Sequence, residues 1–64
     1  MLTINGESMD AAGKPLADFL REAGYDPARV AVERNLEIVP AEQFPTTILQ
    51  DGDSIEIVHF VQGG

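Results

Sequence analysis

The chain has 64 residues, with four Lys plus Arg against eleven Asp plus Glu and a formal net charge of −7. A chain of this length forms one domain at most, and its negative charge excludes nucleic acid and anionic membranes as partners because it repels their phosphates. With no cysteine and one histidine, the sequence also excludes a disulfide framework and a multi-histidine metal centre, so regular secondary structure has to hold the domain together.

The first predicted element is a β-hairpin. Leu2 and Ile4 alternate with a polar residue, and the Asn5-Gly6 dipeptide that follows them is typical of a tight hairpin turn. The second strand is expected to cover residues 7 to 9 or 10. Two antiparallel strands are therefore expected ahead of the helix.

A helix is predicted next. Pro15 fits the first helical position, where its missing N–H costs nothing, and Gly24 is expected to end the helix in a left-handed conformation. Between them, apolar residues recur at the three- and four-residue spacing that places them on one stripe of an α-helix. The predicted stripe consists of Leu16, Phe19, Leu20 and Ala23.

The middle of the chain predicts two further strands. Val30-Ala31-Val32 is apolar and β-branched enough to form a strand covered on at least one face, and Arg34-Asn35 is a predicted turn. A short strand is expected over residues 36–39, because Pro40 has no N–H to donate to a strand ladder. Residues 41–44 predict a single helical turn.

The last third of the chain predicts a core segment, a turn and a final strand. Ile48 and Leu49 are expected to fill the bottom of the core, and Asp51-Gly52-Asp53 predicts a turn. The final strand is expected to run from residue 54 to about residue 61. Its alternation directs Ile55 and Ile57 to one face and residues 56, 58 and 60 to the other.

These elements predict an α+β domain over residues 1–61, followed by a flexible tail at residues 62–64. One helix covers only one face of a sheet. If Ile55 and Ile57 face the helix, Val58 and Phe60 lie on the uncovered face, where exposed apolar side chains indicate a docking surface. The alternative is that Phe44 or the segment before it folds over them.

Few residues are candidates for catalysis. The sequence has no cysteine nucleophile and no phosphate-binding glycine loop, and His59 is interpreted as a strand residue at a sheet edge. The turn at residues 51–53 lacks the further ligands of a calcium loop. The carboxylates of five residues are interpreted as solvated: Glu33, Glu37, Asp51, Asp53 and Glu56. The sequence thus predicts a protein that is not an enzyme and binds no cofactor or metal.

The start of the sequence lacks the basic residues and the long apolar run of a signal peptide. No segment approaches the roughly 18 consecutive apolar residues of a membrane-spanning helix. The sequence therefore predicts a cytoplasmic protein.

The segment Gln62-Gly63-Gly64 carries the main functional hypothesis. Glycines have no Cβ atoms, so a partner enzyme can thread this tail into a narrow channel and reach an unhindered carboxylate. The alternative is that the glycines are frayed and have no function. The carboxylate of Gly64 is the predicted reactive group, Gln62 and Gly63 form the tail, and Val58, Phe60 and Val61 are the predicted partner-binding residues.

Over essentially its whole length the sequence resembles the ThiS family, the bacterial sulfur carrier proteins of thiamine biosynthesis. The matching pieces are Val30-Ala31-Val32-Glu33, Asn35, Ile38-Val39-Pro40, residues 51–58 and Gly63-Gly64. The resemblance implies a β-grasp, ubiquitin-like fold, with a mixed sheet of four to five strands and one main α-helix packed on one face. The sequence departs from the family pattern at Ala41, often a basic residue, at Phe44, often tryptophan, and at Gln62, often a third glycine.

The resemblance also implies a function. In that family an adenylating enzyme related to ubiquitin-activating enzymes consumes ATP to activate the terminal glycine, which is converted to a thiocarboxylate with sulfur from a donor protein. The thiocarboxylate then gives its sulfur to thiazole synthase, and Gly64 is the equivalent residue here. Three alternatives stay open. The first is the small subunit of molybdopterin synthase, which usually has a proline pair before its glycines. The others are a ubiquitin-like modifier joined to lysines of target proteins and a simple interaction domain whose tail has no function.

Overall fold

A computed structural model describes residues 1–60, in which five strands form one mixed sheet with a single α-helix on one face. The sheet order is β2-β1-β5-β3-β4; β1 and β5 run parallel, and the other neighbours are antiparallel. The predicted α+β class, the mixed sheet and the single main helix are confirmed. The elements are β1 (Leu2–Ile4), β2 (Glu7–Met9), α1 (Leu16–Glu22), β3 (Val30–Arg34), β4 (Glu37–Val39) and β5 (Ser54–His59), with short 3₁₀ helices at Pro27–Arg29 and Ala41–Gln43.

The first hairpin forms where the sequence predicts it. Asn5 and Gly6 have φ angles of 50° and 84°, and this left-handed pair gives the turn the twist of the strands that flank it. The Asn5 side chain also continues the ladder between β1 and β5: its Oδ1 accepts from the Ile57 N–H at 2.7 Å, and its Nδ2 donates to the Ile57 carbonyl at 3.3 Å. The turn therefore holds the hairpin against the central strand.

Helix α1 begins one residue later than predicted. Pro15 has an extended backbone (φ −62°, ψ 140°) and precedes the first helical residue, Leu16, so its placement inside the helix was wrong. Gly24 follows the helix with φ 89°, which confirms the left-handed end.

The buried stripe of α1 differs from the predicted one in a single member. Leu16, Phe19 and Leu20 are buried as expected, whereas Ala23 is exposed and Ala17 is buried in its place. Ala17 is buried by a segment that is distant in the sequence. It lies under the residues around Phe44, and its N–H donates to the Phe44 carbonyl at 3.0 Å. Ala23 lies past the last helical residue, at the rim of a surface cleft.

The turn between β3 and β4 is shifted by one residue from the prediction. Asn35 and Leu36 have φ angles of 53° and 71°, so Leu36 belongs to the turn and β4 begins at Glu37. The predicted helical turn at residues 41–44 is confirmed by the 3₁₀ helix, which Phe44 ends.

The core lies between α1 and the face of the sheet that the helix covers. Leu49 is buried there as predicted, but its neighbour Ile48 is exposed because Ile48 bridges Pro15 in an extended stretch, where successive side chains point in opposite directions. No helix in the described part of the chain is long and apolar enough to cross a membrane. The buried apolar residues are Leu2, Ile4, Ala11, Leu16, Ala17, Phe19, Leu20, Val30, Val32, Phe44, Leu49, Ile55 and Ile57.

Asp53 is buried, with 7% of its surface exposed, so its interpretation as a solvated carboxylate was wrong. Burial acts to raise the pKa of Asp53, but hydrogen bonds from the Asn35 amide, the Gln50 N–H and the Arg34 guanidinium outweigh that effect and hold the pKa below its usual range. The three donor distances are 3.1, 3.0 and 2.9 Å. This carboxylate thereby ties the β3–β4 turn to the start of β5.

Candidate functional site

The face of the sheet opposite α1 carries exposed apolar side chains at its centre. Along β5, Ile55 and Ile57 are buried against the core, while 59% of Val58 and 54% of Phe60 are exposed. The predicted division of these residues between the two faces is confirmed. The alternative, in which Phe44 or the segment before it folds over Val58 and Phe60, is wrong because both side chains stay more than half exposed.

Two neighbouring strands extend this apolar surface. Ala31 of β3 pairs directly with Val58, and Ile38 of β4 pairs with Glu33 on the same face, with 69% of Ile38 exposed. Ile38 was not among the predicted partner-binding residues. The alternation in β4 could have indicated it, because its neighbour Val39 packs against the core. The open face, as we call this surface, comprises Ala31, Glu33, Ile38, Glu56, Val58 and Phe60.

The open face is acidic as well as apolar. Glu33 and Glu56 lie directly opposite each other on β3 and β5, a like-charge pair that costs folding free energy. Within residues 1–60 neither carboxylate takes part in an ion pair. The open face thus favours a partner whose surface is apolar with basic side chains near it.

The chain leaves the sheet beside a shallow cleft. The Phe60 N–H donates to the Arg29 carbonyl at 2.9 Å, which fixes the backbone immediately after β5. The cleft has a volume of about 250 Å³ and lies between the first 3₁₀ helix and the end of β4, with Phe60, Ile38, Pro40 and Phe44 among its lining residues. An apolar side chain of a bound protein fits a concavity of this kind.

His59 is the last residue of β5, which is the central strand of the sheet and not an edge strand as predicted. Its ring packs against that of Tyr25, with centroids 5.1 Å apart and the planes inclined by 32°. Its strand partner Val30 is buried on the helix side, and directly opposed residues share a face. His59 therefore lies on the other side of the sheet from Val58.

The reactive end of the predicted site lies outside the described residues. Strand β5 ends at His59, two residues earlier than the predicted limit at residue 61. The predicted partner-binding residue Val61, the tail residues Gln62 and Gly63, and the predicted reactive glycine Gly64 all follow residue 60. The described residues fix the point at which the chain leaves the sheet, and the open face lies on one side of that point.

Comparison with known proteins gives consistent results. A family model described as "ThiS family" matches residues 2–64. The sulfur carrier protein ThiS of Thermus thermophilus is 39% identical over 64 residues, and the match covers all of both chains. A crystal structure of the thiamine biosynthesis protein ThiS from Geobacter metallireducens superposes with a TM-score of 0.78 at 33% identity, covering 98% of this chain and 97% of that one. The predicted β-grasp fold is confirmed.

A longer relative combines such a domain with an enzyme. The thiazole synthase of Paramagnetospirillum magneticum is 47% identical over an alignment of 64 residues, and the match covers 98% of this chain but only 20% of that protein. The chain therefore spans about a fifth of the length of that relative. The likeness is to one part of that protein, and the rest of its length has no counterpart in these 64 residues.

Proposed function

The chain belongs to the ThiS family, and on that premise we propose that it carries sulfur on the carboxylate of Gly64 for thiazole formation in thiamine biosynthesis. The observation that carries the proposal is the family match over residues 2–64, which includes both terminal glycines. The relatives with a described function are sulfur carriers or thiazole synthases, which favours this pathway over molybdopterin synthesis and over protein modification.

The chemistry needs only an unhindered carboxylate on this chain. A carboxylate is a poor electrophile, so one of its oxygens first attacks the α-phosphorus of ATP, and pyrophosphate leaves. Sulfide supplied through a donor protein then attacks the acyl carbon; a C–S bond forms, AMP leaves, and a thiocarboxylate remains. Because a glycine has no Cβ, two different active sites can accept the same acyl group. The adenylating enzyme binds the ATP, and this chain acts as a carrier without a cofactor of its own.

The open face is the proposed docking surface for these enzymes, with Val58 and Phe60 as anchors and Val61 as their continuation toward the tail. Exposed apolar side chains forfeit burial free energy in the free protein and regain it in a complex. The proposed partners are the adenylating enzyme, the sulfur donor and thiazole synthase. For the synthase, the support is a relative that joins both kinds of domain in one protein. Since the reaction consumes ATP, the proposed compartment is the cytoplasm.

The test is a reconstituted reaction followed by intact-protein mass spectrometry. The chain is incubated with its adenylating enzyme, ATP and sulfide, and we expect the mass increase that corresponds to replacement of one oxygen by sulfur. A variant without Gly64 and a variant extended by one residue beyond it serve as controls; both should stay unmodified with an unchanged circular dichroism spectrum, because no described core residue is altered. An unmodified wild type in the presence of an adenylating enzyme active on a reference carrier contradicts the proposal.

A further inference from the structure

The turn between β3 and β4 presents a large apolar side chain where the backbone disfavours one. Leu36 has φ 71°, a left-handed conformation that costs a residue with a Cβ on the order of 1 kcal/mol. Its side chain is 90% exposed, so burial within the described part of the chain does not offset that cost. The equivalent position of the first hairpin turn is Gly6, which adopts the same conformation without strain. Leu36 thus costs stability in the free protein, as residues kept for binding often do.

The turn is held rigidly. The Asn35 N–H donates to the Ser54 carbonyl at 2.8 Å, and the Asn35 Oδ1 accepts from the Ser54 N–H at 2.9 Å. The buried Asp53 carboxylate accepts from both Asn35 and Arg34. A partner that binds Leu36 therefore orders little backbone, which lowers the entropic cost of association.

The β3–β4 turn and the point where the chain leaves β5 lie at opposite ends of the central strand. Asn35 and Leu36 flank the start of β5 at Ser54, whereas the chain exits after His59. Six residues of strand separate the two ends by roughly 20 Å at about 3.3 Å per residue. A partner that touches both ends therefore holds the carrier at two separate points, and the second contact forms at a high effective concentration once the first is made.

The surroundings of Leu36 indicate the chemistry of the partner. Ile38, two residues further on, is largely exposed on the open face, and Glu33 and Glu37 lie beside it. Within residues 1–60 neither of these carboxylates is in an ion pair. Leu36 is thus an exposed apolar side chain with carboxylates near it. Electrostatic complementarity to such a surface requires an apolar pocket with Lys or Arg side chains around its rim.

We propose that Leu36 is the anchor of a second docking point, at the other end of β5 from His59, and that it enters an apolar pocket with a basic rim on thiazole synthase. The inference rests on the proposed function, which supplies that enzyme as the acceptor of the loaded tail. Contact at the turn fixes the orientation of the whole sheet on the synthase while the tail occupies its active site.

The main experiment compares the full-length wild type with Leu36→Gly in calorimetric titrations against thiazole synthase of the same organism. Glycine relieves the positive φ, so the melting temperature should stay the same or rise. Because the complex would bury the Leu36 side chain, its loss should raise the dissociation constant at least about tenfold. In parallel, Glu37→Gln should weaken binding a fewfold at low salt and have no effect at high salt. Its matched control is Glu7→Gln, the same charge change beside the other hairpin turn, which should leave binding unaltered.

The outcomes separate this inference from the proposed function. Equal dissociation constants for wild type and Leu36→Gly, weaker binding only to the adenylating enzyme, or no binding of the wild type to the synthase would each overturn the docking point. If a thiocarboxylate forms in any of those cases, the carrier function still stands. If none forms but Leu36→Gly weakens binding to the synthase, the docking point stands and the proposed function fails.

Discussion

The two faces of the sheet are built from the same strands and have opposite roles. Val32 of β3 pairs with Ile57 of β5, and both are buried beneath α1; one residue along, Ala31 pairs with Val58, and Val58 is largely exposed. Both faces carry large apolar side chains, but the helix covers one face only, and the other face also carries Glu33 and Glu56. The covered face provides stability, and the open face is the proposed docking surface.

The largest effect expected from this comparison is on stability, at Phe44. Its ring is buried in the core, so Phe44→Ala should lower the free energy of unfolding by about 3 to 5 kcal/mol, comparable with the total stability of a domain of this size. Urea denaturation followed by circular dichroism measures it. Val58→Ala on the open face is the control and should change stability by less than about 1 kcal/mol. Equal losses of stability in Phe44→Ala and Val58→Ala would mean that both faces of the sheet are part of the core.

Phe60→Ala should weaken partner binding more than it lowers stability, in contrast to Phe44→Ala, whose main effect is on stability. More than half of this ring is exposed, so the substitution should cost little stability but weaken binding to the adenylating enzyme by about 2 kcal/mol, roughly thirtyfold. Calorimetric titration gives the affinity, and the melting temperature gives the stability. If Phe60→Ala binds as tightly as the wild type, the open face is not the docking surface for that enzyme.

Asp53 ties the β3–β4 turn to the start of β5 and should make stability depend on pH. Its folded-state pKa is lowered, so its contribution is complete above about pH 4, the ordinary pKa of aspartic acid, and is lost as the pH falls through the folded-state value. Asp53→Asn should therefore cost about 2 kcal/mol at pH 7, and the difference from the wild type should shrink in acid. Urea denaturation at a series of pH values provides the measurement. A difference that does not vary with pH would show that the charge of this carboxylate is not involved.

The smallest expected effect concerns the acidic pair on the open face. Glu56→Gln removes the repulsion from Glu33 across the strands and should raise stability by about 0.5 kcal/mol at low salt, with no gain at high salt. Glu42→Gln, an equal change of net charge on the second 3₁₀ helix, is the matched control and should give no such gain. A loss of stability in Glu56→Gln would reveal that Glu56 has a favourable partner.

The parts of the fold predicted correctly are those that local signals determine. The Asn5-Gly6 turn follows from residues that adopt positive φ readily, and the burial of Ile55 and Ile57 follows from the alternation of β5. The exposure of Val58 and Phe60 required one further step, namely that a single helix covers a single face. Each of these inferences depends only on residues close together in the sequence or on the number of predicted helices.

The errors occur where a distant segment decides the outcome. Ala17 is buried because the segment around Phe44 covers it, and Asp53 is buried because Arg34 and Asn35 reach it from another strand. Leu36 lies in the turn against its own preference, since the pairing of β3 with β5 and the anchored Asn35 fix the register. Hydrophobic periodicity contains no information about such contacts.

The candidate site divides in the same way. The exposure of Val58 and Phe60 follows from alternation, whereas the position of Ile38 beside them follows from the pairing of β3 with β4. The proposed site also includes Val61, Gln62, Gly63 and Gly64, which lie outside the described part of the chain. Their proposed roles depend on chemistry performed by other proteins. For them the sequence supplies a prediction that experiment has to test.

The most direct test of sulfur transport on Gly64 is an intact mass spectrum of the protein purified from its native cells under thiamine limitation. The expected result is a population with one oxygen replaced by sulfur, located at Gly64 by fragmentation and missing from cells without the adenylating enzyme. Protein that stays entirely unmodified in cells actively making thiazole, or that is found joined through Gly64 to lysines of other proteins, would contradict the proposed function.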